Sequence, residues 1–105
     1  MNQVLIIGKV ADLPRLIKNS NGIASTCLLV DTYRKEKNAN GNYDIDRLSV
    51  SFTGDLAENI CKNLIHGDAI IVRGRLQSQN YEENGEVVYK SIIVGDSVTM
   101  LDQII

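Results

Sequence analysis

One change of period constrains this chain more than any other feature. Residues 55–66, DLAENICKNLIH, space Leu56, Ile60 and Leu64 at helical intervals. Every other ordered-looking segment has the character of a strand. Three such runs come first, at 3–10 (QVLIIGKV), 24–33 (ASTCLLVDTY) and 46–53 (DRLSVSFT), and two follow, at 69–80 and 87–100. Three strands, one helix and two strands predict an all-β chain with one helix. The matching architecture is the OB-fold, a five-stranded Greek-key barrel with its helix between strands 3 and 4. An unrelated small α+β sheet is the competing arrangement.

Turn chemistry separates the elements. Pro14, the run from Asn19 to Gly22, Asn40-Gly41 and Asn84-Gly85 all fall between strands. Gly8, inside the first strand, predicts a bulge or a close backbone approach. Asp55 with Glu58 resembles a capping box, and Gly67 is the expected residue just past the helix. In 46–53, Leu48, Val50 and Phe52 point to a core, while Arg47, Ser49, Ser51 and Thr53 form a polar, open face. The first strand differs, since Val4, Leu5, Ile6 and Ile7 make it apolar on both faces. A small barrel needs one face for its core, so the other face or edge is expected to be covered by self-association, as a dimer or tetramer.

At 105 residues the chain is read as one domain, 1–105. No stretch is long and apolar enough to cross a membrane. The N-terminus lacks a basic region and a small-residue cleavage site, so the expected location is cytoplasmic. Cys27 and Cys61, without CxxC spacing, are expected to be reduced and buried. One histidine, no metal-spaced cysteines and no glycine-rich strand-to-helix loop point away from an enzyme, and no cofactor or metal is expected. His66 reads as a partner of the helix dipole. The net charge of −2 argues against a strongly basic nucleic-acid binder, although a local basic groove remains compatible with it.

The ordered series of motifs resembles the bacterial single-stranded DNA-binding protein family over nearly the whole length. It comprises NQVLIIGKV, Pro14, Asn21-Gly22 with Ala24, Asn40-Gly41, Leu56-Ala57-Glu58-Asn59, Gly67, Val72-Arg73-Gly74-Arg75-Leu76, Tyr81-Glu82, Asn84-Gly85, Tyr89 and Asp96-Ser97-Val98. The resemblance implies an OB-fold, binding of single-stranded DNA without sequence preference, and commonly a homotetramer. It also implies aromatic platforms at about Lys35, Arg47, Thr53 and Tyr81, of which Tyr81 alone is aromatic here. The positive groups implied before that last platform are Gln77, Gln79 and Asn80. The family's long tail with an acidic, partner-recruiting tip is not expected, since the sequence stops at Ile105.

The candidate DNA-binding residues are therefore Tyr81, Tyr33, Arg34, Lys35, Arg47, Arg73 and Arg75. Tyr81 reads as a base platform on the open face with Arg47 and Arg75, or else as a packing residue across its hairpin. Tyr33 stands between the same two readings. Tyr89, in the apolar run VVY, reads as packing, and Tyr43 as a loop residue. Arg34, Lys35 and Lys37 form a basic cluster diluted by Glu36, while Arg73 and Arg75 share one side of a strand, where they either face a groove or pair with acids. With cations where platforms are implied, and arginine able to stack on a base, binding is expected to be weak and salt-sensitive. The alternative is an OB-fold interaction module that has lost most of its stacking and docks a protein partner.

Overall fold

A computed structural model describes residues 1–103. Its elements are β1 (Val4–Val10), β2 (Ile17–Lys18), β3 (Ala24–Lys37), β4 (Tyr43–Thr53), α1 (Gly54–Asn63), β5 (Ala69–Glu83), β6 (Glu86–Met100) and a terminal 3-10 turn, Leu101–Gln103. The barrel closes in the order β1-β5-β6-β4-β3 and back to β1, with β2 added to the edge of β3. Two contacts complete the ring. β1 meets β3 at Lys9 and Val10, and β4 runs parallel to β6 at Val50 and Ser51. This is the five-stranded OB-fold barrel with its helix between the third and fourth barrel strands, as the pattern of periods predicted.

Strand alternation fills the interior. Leu28, Val30, Val50, Phe52, Ile70 and Val72 are fully buried, and Ile6 and Val10 join them from β1. The helix closes one end with Ala57, Ile60 and Leu64. At about 25 cal/mol per Å² of apolar area, each large side chain in this set contributes roughly 1.5–3 kcal/mol. The hydroxyl of Thr26, the buried polar residue among them, donates to the Arg15 carbonyl at 2.8 Å and so is not left unpaired. Gly8 is required by a close approach. A Cβ there would lie 2.2 Å from the Asp31 carbonyl oxygen, where β1 crosses β3.

Helix boundaries differ from expectation. Thr53 is the N-cap and makes no side-chain capping bond, so the Asp55–Glu58 box does not form. The helix ends at Asn63, with Leu64 as its C-cap. Gly67 turns the chain further on, and its amide donates to the Val10 carbonyl at 2.8 Å. The carboxylate of Asp68 accepts from the Ile65 amide at 2.9 Å and holds this turn. Both cysteines are free, but Cys27 is exposed on the barrel's outer face, with Ser49 Oγ 3.5 Å from its sulfur, and Cys61 is half-buried.

Because β4 and β6 are parallel, the β3–β4 and β5–β6 hairpins point their tips the same way. Their shared pairing stops at Val50–Ser51 and Ile93–Val94, so beyond it they run on as two arms. Asn84 and Gly85 both take positive φ (52° and 81°), the two-residue turn that matches strand twist. The other tip is longer. There Asn38 Oδ1 accepts from the Asn40 and Asn42 amides at 2.9 and 3.0 Å.

Candidate nucleic-acid interface

Register fixes which side chains share the barrel's outer surface. Along β5, Arg73, Arg75 and Tyr81 lie on one side, alternating with buried Val72 and Gly74 near the barrel. Across the ladder Tyr81 faces Val88, and Gln79 faces Lys90. On β3 and β4 the same outward side carries Asp31 opposite Arg47 and Tyr33 opposite Ile45. The outward side is continuous around the ring, because Ser51 of β4 neighbours Val94 of β6, and Val94 neighbours Arg75 of β5.

Tyr81 is 47% exposed and Tyr33 65%. Neither ring belongs to the core, so both present flat apolar area to solvent. Tyr81 shares its side with Arg75 but stands six residues along the strand, a separation of about 20 Å at the usual rise. It therefore marks the far end of an arm rather than the neighbourhood of Arg75 and Arg47.

Three of the four candidate arginines are not free charges. Arg47 forks onto Asp31, with Nε to Oδ1 at 2.8 Å and Nη2 to Oδ2 at 3.0 Å. This bond holds the Asp31 carboxyl below the usual carboxylate range, desolvation opposing it, and raises the Arg47 guanidinium. Arg34 forks onto Asp46, with Nη2 to Oδ1 at 2.9 Å, and its Nη1 lies 3.8 Å from Asp44. It depresses the Asp46 carboxyl in the same way. Arg75 pairs with Asp96, the extra residue where the β5–β6 register shifts. Among the described residues, Lys35 and Arg73 have no carboxylate partner.

The seven candidates thus fall into separate groups. Tyr33, Arg47, Arg73, Arg75 and Tyr81 share the outward side. Arg34 reaches Asp44 and Asp46, which alternate with Ile45 and Arg47 and so occupy the opposite side of the arm. Lys35 sits in the irregular stretch between Tyr33 and Lys37, where β3 has two more residues than β4. Of the other tyrosines, Tyr43 opens β4 instead of lying in a loop, with the Lys37 ammonium 5.7 Å over its ring. Tyr89, expected to pack, is 74% exposed and faces Asn80 on the side of the arm opposite Tyr81.

Two features escaped the sequence. The acidic partners Asp31, Asp46 and Asp96 are cross-strand neighbours, and only register reveals them. Tyr89 was hidden by the two valines before it, although strict alternation through Val87, Val88 and Tyr89 would have set it opposite Val88. No group of three or more His, Cys, Asp or Glu side chains among the described residues could hold a metal ion.

A closed OB barrel with outward aromatics, outward arginines and two projecting arms defines an oligonucleotide-binding type of domain. The model of the single-strand binding protein family matches residues 1–101, and the chain belongs to that family. It is 30% identical over 103 residues to a single-stranded DNA-binding protein of Oceanobacillus iheyensis, covering 97% of this chain and 64% of that one. It is 29% identical over 101 residues to single-stranded DNA-binding protein 2 of Streptococcus agalactiae, covering 96% and 77%. Single-stranded DNA-binding protein 1 of Staphylococcus aureus is 30% identical over 103 residues, covering 97% and 66%. The chain therefore spans just under two thirds of the Oceanobacillus and Staphylococcus relatives.

Proposed function

We propose that this chain binds single-stranded DNA without sequence preference, as a cytoplasmic binding protein rather than an enzyme, in replication, recombination or repair. The observation that carries the reading is the outward side of the barrel, where exposed Tyr81 and Tyr33 lie on the same continuous surface as Arg47, Arg73 and Arg75. Bases stack on such rings for about 1–3 kcal/mol each, and cations neutralise phosphates in a salt-dependent way. With two tyrosines on this side, and with Arg47 and Arg75 already paired, affinity is set low for a binder of this kind. Titration of the intact chain with oligo-dT at low and high salt tests this. Saturable binding that weakens with salt, with no preference for duplex, is the expected result. Tight binding that survives high salt contradicts the weak-binding reading, and no binding at low salt contradicts DNA binding itself.

Self-association belongs to the same reading. Leu5 and Ile7 are 57% and 54% exposed on the outer side of β1. The first half of β1 also lacks a partner on its β3 side, since that pairing covers Lys9 and Val10 only. An open edge flanked by exposed apolar residues favours a dimer or tetramer. Light scattering at micromolar concentration checks it, and a monomer would overturn it. The second reading, a module that docks a protein partner, draws on the charge pairing: arginines held by Asp31, Asp46 and Asp96 offer less to a phosphate than free ones do.

A further inference from the structure

On the outer side, register sets Lys9 of β1, Asp31 of β3 and Arg47 of β4 in a row across three strands. Arg47 grips the Asp31 carboxylate through both of its oxygens. Lys9 and the imidazole of His66 line the same cleft as Asp31. One carboxylate is thus bonded to an arginine and shares a cleft with a lysine and a histidine. A guanidinium fork fits a carboxylate and a phosphate equally well.

The cleft has a second property. Its volume is about 340 Å³, and its walls include Tyr33, Ile45 and Ile7, all exposed apolar side chains. A volume of this order is at the small end of the range for ligand clefts. A nucleotide asks for two things here, a flat apolar wall for its base or sugar and a cation for its phosphate. The wall is open, whereas the arginine beside the cleft is already engaged by Asp31, leaving Lys9 as the cation without a carboxylate partner among the described residues.

We propose that Asp31 occupies, in the free protein, the position that a DNA phosphate takes when a nucleotide enters this cleft, so that Asp31 limits the affinity of the barrel for single strands. This rests on the single-strand reading above. Binding then exchanges one anion for another at Arg47. The arginine gives up a two-toothed bond to gain a phosphate, and the released carboxylate stays close enough to oppose it. Arg47 therefore adds less to affinity than an unpaired arginine would. The exchange also flattens the salt dependence, because the freed Asp31 takes up a cation as the DNA releases one.

The experiment is a double-mutant cycle on the intact chain, titrated with oligo-dT, using Asp31→Asn, Arg47→Gln and the double variant. Glu58→Gln serves as the control. It removes the same single charge from the helix, away from the arms, where Glu58 lies 3.9 Å from the Lys18 ammonium. Asp31→Asn is expected to bind roughly five- to tenfold tighter at low salt. Its plot of log affinity against log salt should be steeper by about 0.7. Arg47→Gln should cost little alone and should cancel the whole gain in the double variant, while Glu58→Gln should leave affinity unchanged. Thermal melting confirms that each variant is folded, and Asp31→Ser replaces Asp31→Asn if the latter is not. Equal gains from Asp31→Asn and Glu58→Gln would reduce the effect to net charge and overturn the proposal, as would no gain from Asp31→Asn with the wild type binding. Failure of every variant, wild type included, to bind oligo-dT at low salt would instead sink the single-strand reading, and this proposal with it.

Discussion

The barrel body and the arms are made from the same strands, yet they are governed by different physics. In the body, Leu28, Val50, Phe52 and Ile70 are fully buried and each residue is dictated by its neighbours. Along β5 the pattern changes abruptly after Gly74, and every residue from Arg75 to Glu83 is exposed. The end of β3 does the same from Tyr33 to Lys37. A tyrosine in such a segment either packs across its hairpin, where Tyr81 faces the half-buried Val88, or serves what the arm meets. The arms also differ from each other. The β3–β4 arm neutralises much of its charge within itself, Arg34 with Asp46 and Arg47 with Asp31. The β5–β6 arm carries bare rings, Tyr81 on one side and Tyr89 on the other, below a tip of Glu82, Glu83 and Glu86.

If the body holds the fold and the arms hold the ligand, substitutions should sort cleanly. The largest effect falls in the body. Phe52→Ala empties the centre of the barrel and should cost about 3–5 kcal/mol of stability, read by denaturant unfolding. A loss below about 1 kcal/mol would mean that the core does not depend on this ring. Next comes the arm. Tyr81→Ala should weaken oligo-dT binding by about 1–3 kcal/mol with little change in melting temperature, and Tyr81→Phe should keep most of the affinity. A lowered melting temperature with affinity intact would make Tyr81 a packing residue and erase the contrast.

A smaller effect is expected at the arm's turn. Gly85 has φ of 81° with nothing near its missing Cβ, so Gly85→Ala strains the backbone alone. The cost should be about 1 kcal/mol, seen as faster hydrogen exchange at the tip while the body stays protected. The smallest effect is with pH. The Asp31 and Asp46 carboxyls are depressed in the folded chain by Arg47 and Arg34. Their contribution is present above the ordinary carboxylate pKa of about 4 and is lost as pH falls through the depressed values. Melting temperature should therefore decline modestly below about pH 4, and the double variant Asp31→Asn with Asp46→Asn should flatten that part of the decline. An unchanged profile in the double variant would show that these exposed pairs contribute nothing to folding.

The same division explains what could be read in advance. The alternation of Leu48, Val50 and Phe52 and the helical spacing of Leu56, Ile60 and Leu64 are imprints of a core, and they identified the barrel strands and the helix. The arms leave no such imprint, so β3 was expected to stop at 33 and β4 to begin at 46, whereas they run to Lys37 and from Tyr43. β2 is two residues long and carries no period at all. The tip at Asn84-Gly85 was plain because its backbone needs those residues. Tyr81 could be singled out by its place beside that tip. The pairing of Arg47 with Asp31 could not, since the two are sixteen residues apart and meet only through cross-strand register.

Hydrogen exchange of the intact chain with and without oligo-dT tests the division most directly. New protection is expected along both arms and the outward side between them, at residues 30–36, 44–49 and 74–90. The body, at 24–28, 50–53 and 57–64, should be unchanged. Protection confined to the connection at 11–23, or spread evenly over body and arms, would contradict the claim that the arms are where the ligand is held.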